Sequence, residues 1–98
     1  MARPEKIPLE VRLEAGVGRP EHVFRFRNKT IQVGGTFNAR VQVEASVSGD
    51  DYFAVGAPLN SPGAVSVAET VEFVRIRTVN YTSGEPTAVL AGFDERAV

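Results

Sequence analysis

The chain has 98 residues, with 11 basic and 12 acidic side chains and no cysteine. Its length fits one domain, and the absence of cysteine excludes a disulfide framework, a thiolate zinc site and a cysteine nucleophile. Because the charge is nearly balanced, we expect neither nucleic acid nor a membrane as a partner. The N-terminus lacks the apolar run of a signal peptide, and no stretch approaches the roughly 20 apolar residues of a membrane span, so we expect synthesis in the cytoplasm.

The first half of the chain alternates apolar and polar residues, the period of a strand with one buried face. Residues 1–8 contain two prolines and predict an extended N-terminal arm, dispensable for folding, that lies across a neighbouring molecule or adds to a sheet edge; a frayed terminus is the alternative. The single β-sandwich domain is then expected over residues 9–98. Apolar residues recur at every second position, and so predict strands, from Ile7 to Leu13, from His22 to Phe26, from Ile31 to Val33 and from Phe37 to Val47.

The second half of the chain has the same period, interrupted by turn residues. Gly49-Asp50 predicts a hairpin turn, after which Tyr52 or Phe53 is expected to return an aromatic ring toward the core. Strands are predicted from Tyr52 to Val55, from Val65 to Val67, from Val71 to Val79 and from Thr87 to Phe93. No segment has the 3.6-residue period of a helix. The sequence therefore predicts an all-β fold, an antiparallel β-sandwich of jelly-roll-like or Ig-like type with about eight short strands.

Two features of the sequence are candidate sites of chemistry. Asp50-Asp51 is an acidic pair, but a calcium site needs about six or more oxygen ligands and the EF-hand spacing is absent, so a turn is the favoured interpretation. The single histidine, His22, has no neighbouring nucleophile, and no serine lies in a nucleophile-elbow motif. We therefore predict that the chain is not an enzyme and has no catalytic residue, no cofactor and no metal site.

Arginines and aromatic residues are concentrated on a few of the predicted strands. Nucleic-acid binding is one interpretation, but Glu44 and Glu72 share the same outward rows, and mixed charges are typical of a solvated sheet face. A protein interface, where arginine and aromatic residues are enriched, is the favoured interpretation. The predicted interface residues are Arg3, Pro4, Ile7, Arg25, Arg27, Arg75, Arg77, Asp50, Tyr52 and Tyr81.

Two segments between residues 35 and 93 carry motifs beyond the simple alternation. The first contains a V-x-V-x-x-S-x-x-G-x-x-(aromatic)-x-x-(V/L)-G hairpin, and the second a V-R-(I/V) strand followed by a T-S-G turn. The matching residues are Val41, Val43, Ser46, Gly49, Tyr52 or Phe53, Val55, Gly56, Val74-Arg75-Ile76 and Thr82-Ser83-Gly84. In these motifs the chain resembles small β-sandwich proteins of tailed bacteriophages, although the tryptophan that is common after their hairpin turn is absent here.

The resemblance implies a virion structural protein, a head decoration or cement protein on the capsid exterior. Its implied partners are the major capsid protein and further copies of itself, in a dimer or trimer that bridges capsid subunits. A tail or baseplate module is an alternative. So is a carbohydrate- or receptor-binding module, in which Tyr52, Phe53 and Tyr81 stack on sugar rings, and so is a small hydrolase built on His22.

Overall fold

Nine strands and no helix form in the described part of the chain. The computed structural model describes the backbone of residues 3–94 and the side chains of residues 5–93. Within this range, no segment is a helix long and apolar enough to cross a membrane. The strands are β1 (Arg3–Leu9), β2 (Gly16–Val17), β3 (Glu21–His22), β4 (Phe26–Gly34), β5 (Phe37–Ser46), β6 (Phe53–Leu59), β7 (Gly63–Val67), β8 (Phe73–Gly84) and β9 (Thr87–Asp94).

The strands form two antiparallel sheets that pack face to face. The four-stranded sheet has the order β1-β9-β4-β7, and the five-stranded sheet has the order β2-β8-β5-β6 with β3 also paired to β8. Inward residues from both sheets meet in one core, among them Ile31 and Leu90 from the first sheet and Val43 and Ile76 from the second. The prediction of an antiparallel β-sandwich is confirmed.

Residues 3–8 lie within the sandwich, which corrects the prediction of an arm over residues 1–8. Strand β1 pairs with β9 along its whole length, from Arg3 to Leu9. The segment is extended, as expected, but its neighbour is the last strand of the same chain. Leu9 is buried and Ile7 packs against the core, because alternate residues of an edge strand still face the opposite sheet. The two residues before β1 lie outside the described residues.

Four other sequence expectations are wrong in detail. The first strand ends at Leu9, and Leu13, expected on its buried face, is 51% exposed. Val47 is 62% exposed because β5 ends at Ser46, before the hairpin loop. The aromatic residues after this loop do not enter the core, since Phe53 is exposed and Tyr52 is half-buried. The predicted strand through His22 and Phe26 is broken by a turn at residues 24 and 25.

Two corners, where the chain passes from one sheet to the other, lie side by side. The β4–β5 corner contains Gly35 and the β8–β9 corner follows Gly84, and both glycines have a positive φ, 91° and 95°. A hydrogen bond from the Glu85 N–H to the Thr36 carbonyl, 3.0 Å long, joins the two corners. A Cβ atom at Gly84 would meet the backbone of Thr36 and Phe37, so the corners approach each other as closely as they do because glycine stands there.

A β-bulge changes the phase of strand β4. The pairing of β4 with β9 shifts register between Arg27 and Thr30, and Asn28 has a positive φ of 53°. Phe26 faces the core before the bulge, and Lys29, Ile31 and Val33 face it afterwards. One extra residue thus turns a lysine inward.

Candidate interaction surface

The predicted interface residues do not form one surface. Arg75, Arg77 and Tyr81 lie on β8 in the five-stranded sheet, with Tyr52 and Asp50 in the loop before β6. Arg3, Pro4, Ile7 and Arg27 lie on β1 and β4 of the four-stranded sheet, and Arg25 lies in the turn before β4. The side chains of Arg3 and Pro4 are outside the described side chains. The sequence pattern therefore combined residues from two opposite sides of the sandwich.

The outer face of the five-stranded sheet carries a closed ionic cluster. Glu44 stands opposite Arg75 on neighbouring strands. Its carboxylate accepts a 2.8 Å hydrogen bond from Arg75 Nε through Oε1 and another 2.8 Å bond from Arg77 Nε through Oε2. Only 13% of the Glu44 side chain is exposed. The Arg75 guanidinium also lies 3.7 Å from the centre of the Tyr52 ring. The Glu44 carboxylate is thus paired through both of its oxygens within the domain.

Glu44 gives the domain a defined pH response. Burial raises the pKa of this carboxyl, but the hydrogen bonds and charges of Arg77 and Arg75 lower it by more, so the folded-state pKa lies below its ordinary value of 4.5. A carboxyl whose pKa is lower in the folded state stabilises the fold above pH 4.5, and this contribution is lost as the pH falls through the folded-state value.

We predict that Glu44→Gln lowers the free energy of unfolding at pH 7 by about 1 to 2 kcal/mol. The loss is no larger because the Arg77 side chain is partly exposed, so water screens its interaction with Glu44. The loss should shrink on acidification, for example when measured at about pH 3, because the wild-type carboxyl gains a proton as the pH falls through its lowered pKa. Urea unfolding at both pH values measures this. The matched control is Glu14→Gln, which breaks the exposed Arg12–Glu14 pair and should change stability little. A Glu44→Gln effect that is the same at both pH values would contradict the assignment.

The tyrosines expected on loops are held by intramolecular contacts. Tyr52 is half-buried beside Arg75, and the Tyr81 hydroxyl donates a 2.6 Å hydrogen bond to the Gly84 carbonyl. Phe53 is the more open ring of this set, at 41% exposure. The Tyr52 and Tyr81 rings are therefore not arranged as a free platform for sugar stacking.

The acidic pair lies in the hairpin loop between β5 and β6. The Ser48 hydroxyl accepts hydrogen bonds from the N–H groups of Asp50 and Asp51, and the Ser46 hydroxyl accepts one from Gly49 N–H at 2.8 Å. Serine hydroxyls thus order the loop, as expected for a turn. Among the side chains that the structure describes, no group of three or more His, Asp or Glu residues could hold a metal ion.

His22 lies on the surface at the end of β3. Its Nε2 atom is 3.4 Å from Glu72 Oε1, and its ring meets Phe73 edge-on with the centroids 5.3 Å apart. Within residues 5–93, no hydrogen bond joins His22 to a serine. The two arginines of this end are also engaged: Arg25 lies 3.3 Å from Glu5 and 4.2 Å from the centre of the Phe26 ring, and Arg27 is opposite Phe93 in the sheet.

The outer face of the four-stranded sheet was not predicted as a surface, and it has a different character. Its two central cross-strand rows contain one charged side chain among the described residues, Lys6, and Arg27 lies at one end beside the exposed Phe93. Recesses of about 330 and 200 Å³ flank Ala91. The two rows consist of Pro8, Val89, Gln32 and Ala64, and of Lys6, Ala91, Thr30 and Ser66.

One sequence signal could have located this face. Residues 87–93 read TAVLAGF, in which the outward positions Val89, Ala91 and Phe93 are as apolar as the inward positions Ala88 and Leu90. When a central strand has apolar residues on both faces of its sheet, either other structure covers both faces or one face is an exposed apolar surface. The structure shows the second case, with Val89 39% and Phe93 43% exposed.

One edge of this sheet is poorly suited to accepting another strand. Strands β1 and β7 are its two edges, and β1 contains Pro4 and Pro8. Proline has no N–H group to donate to a neighbouring strand, and prolines on an edge strand oppose the addition of further strands. We therefore expect no partner strand beside β1.

The whole fold is similar to that of a protein encoded by a prophage. The crystal structure of the SPBc2 prophage-derived protein YomS matches with a TM-score of 0.79 and 15% sequence identity, over 95% of this chain and 95% of that chain. This chain shares the fold of YomS. No protein-family model matches the sequence, and no curated protein matches it significantly. The likeness to YomS thus extends over nearly the whole sandwich.

Proposed function

We propose that this chain is a non-enzymatic structural protein of a phage virion, and that it acts as a head decoration protein that bridges capsid subunits from the outside as a dimer or trimer. The observation that carries the docking role is the outer face of the four-stranded sheet, with exposed Val89 and Phe93 and with Lys6 as the charged side chain of its central rows. Support for the phage context comes from the fold likeness to the prophage-derived YomS and from the hairpin and V-R-I resemblance.

A decoration protein stabilises a shell through the area that it buries on neighbouring subunits. A face with one charged side chain in its central rows loses less solvation when it is covered than a highly charged face does. The Glu44 cluster on the opposite face is already paired. The face that we propose for docking has no acidic side chain in its central rows, so a neutral or mildly acidic capsid surface suits it. The glycan-binding alternative is less favoured because Tyr52 and Tyr81 are engaged within the domain.

Cryo-electron microscopy of the virion tests the location. Density for this domain at regular positions on the head lattice is the expected result. Density confined to the tail would favour the tail or baseplate alternative, and a virion without the domain would overturn the structural role.

Ala91→Glu tests the docking face. The new carboxylate stands opposite Lys6 on β1, so the domain should keep its stability. Covering that charge should lower the affinity for heads assembled without the protein by about 100-fold, measured by co-sedimentation. The matched control is Asn38→Glu on the outer face of the other sheet, which should bind like the wild type. If Ala91→Glu binds as well as Asn38→Glu, this face is not the docking surface.

A further inference from the structure

Lys29 is a cation placed in the core layer at one end of the sandwich. The bulge at Asn28 turns its side chain inward, opposite Val67 on β7, and the residue is 5% exposed. Thr30 and Gln32, the outward positions that follow, are exposed on the same strand. A regular β4 strand would have placed position 29 in solvent, so the bulge is the reason that this charge is buried.

The Lys29 ammonium is incompletely paired. Its Nζ atom donates one hydrogen bond, to the Phe26 carbonyl at 3.3 Å, and no carboxylate lies within salt-bridge distance among the described side chains. Burial lowers the pKa of this lysine, and the charge of Glu69 opposes the shift without reaching contact. An ammonium has three N–H donors, so most of its hydrogen-bonding capacity is unused in a place where an unpaired charge is costly.

A recess lies directly beside this ammonium. It has a volume of about 380 Å³ and is formed by the start of β4 and by the β7–β8 loop. Phe24 stands on its wall at 60% exposure, and Phe26 and Val71 are buried behind it. Glu69 and Thr70 complete the other side. The recess therefore combines aromatic surface with one buried cation, Lys29, and one exposed cation, Arg27. Its volume suits one or two side chains of a peptide.

We propose that this recess binds a carboxylate carried on an apolar segment of a partner polypeptide, with the carboxylate paired to Lys29 Nζ and an apolar side chain packed on Phe24. The site is independent of the docking face and of the virion role, because it lies at the end of the sandwich and uses none of the face's central residues.

The charges favour a carboxylate over a phosphate. A carboxylate supplies one negative charge and two acceptor oxygens, which matches one ammonium with unused donors. The charged side chains of the lining are Lys29 and Arg27 against Glu69, a net charge of +1, which one carboxylate neutralises and a phosphate dianion would overcompensate. The apolar wall formed by Phe24 would remain uncovered by inorganic phosphate, whereas a residue next to the carboxylate covers it.

The probe for the experiment is N-acetyl-L-phenylalanine, which joins a carboxylate to an aromatic ring. Titrated into the full chain and followed by amide NMR, it should shift the signals of residues 24–29 and 68–71, with a dissociation constant of about 1 mM for a ligand of this size. The matched ligand without charge, N-acetyl-L-phenylalaninamide, should bind at least about 10-fold more weakly, the equivalent of one lost charged hydrogen bond. N-acetyl-L-glutamyl-L-phenylalaninamide then distinguishes a side-chain carboxylate from a terminal one.

Lys29→Met supplies the protein side of the test. This variant keeps an unbranched side chain, one heavy atom shorter, and removes the buried charge. Its thermal midpoint at pH 7 should equal or exceed that of the wild type while binding of the acid falls about 10-fold. The matched control is Lys6→Met, which removes the other lysine of the chain from the outer sheet face and should bind normally. Any one of four results would overturn the proposal. These are equal binding of the acid and the amide, unchanged binding of the acid by Lys29→Met, tighter binding of inorganic phosphate than of the acid, and no NMR shift with any probe.

Discussion

Replacing Gly84 with alanine should lower the free energy of unfolding by about 3 kcal/mol or more. Gly84 has a φ of 95°, a conformation that side-chain-bearing residues rarely adopt. The new Cβ atom would also meet the Thr36 carbonyl and the Phe37 backbone, which cannot turn aside as a flexible side chain can. Both corners would have to separate, and the hydrogen bond from Glu85 N–H to the Thr36 carbonyl would be stretched with them.

Gly16→Ala is the matched control for the Gly84 prediction. Gly16 also has a positive φ, 147°, but a Cβ atom there would meet no other atom within 4 Å. Gly16→Ala therefore measures the free energy lost when alanine adopts a positive φ, about 1 kcal/mol, without the steric clash that Gly84→Ala adds at the corner. Urea unfolding of the two variants and the wild type gives the comparison. If Gly84→Ala is no more destabilised than Gly16→Ala, the two corners are not tightly packed in solution.

The local features of the sheets could be predicted because they depend on the period of two. In β8, the period of two places Val74 and Ile76 on one face and Arg75 and Arg77 on the other, and the structure buries the first pair completely and leaves the second pair on the outer surface. The Gly49-Asp50 hairpin also followed from local chemistry, since a glycine with positive φ and serine hydroxyls are sufficient to form it.

The grouping of residues into sites depends on register and bulges, which the period does not determine. Glu44 meets Arg75 and Arg77 only because β5 and β8 pair in one register, and that pairing shifts between Asn38 and Arg40. The same limit applies to Lys29. One extra residue interrupts the alternation in the sequence, and such an interruption suggests that a strand ends there. In the structure the strand continues, and a bulge between Arg27 and Thr30 changes which residues point inward. The interface residues were therefore chosen by type, and they fell on both sides of the molecule.

Deleting residues 1–8 should cost most of the stability of the domain, the opposite of what an arm outside the sandwich would do. Strand β1 is paired with β9 over its full length, and its removal would leave β9 as a new edge with apolar residues on both sides. Ile7 would be lost from the core, and Leu9 would lose the strand that positions it. A small domain has only about 5 to 15 kcal/mol of stability in total, so we expect the thermal transition to disappear.

Two point variants on β1 separate the core contribution of this strand from its backbone pairing. Ile7 faces the core and Lys6 faces solvent, so Ile7→Ala should cost about 1 to 2 kcal/mol and Lys6→Ala close to nothing. Thermal unfolding followed by circular dichroism measures all three proteins. A cooperative transition that survives in the truncated chain, with Ile7→Ala and Lys6→Ala equally stable, would mean that β1 does not stay on β9 in solution. The segment would then be free to serve another molecule, so this measurement decides whether residues 3–8 act within the domain or between domains.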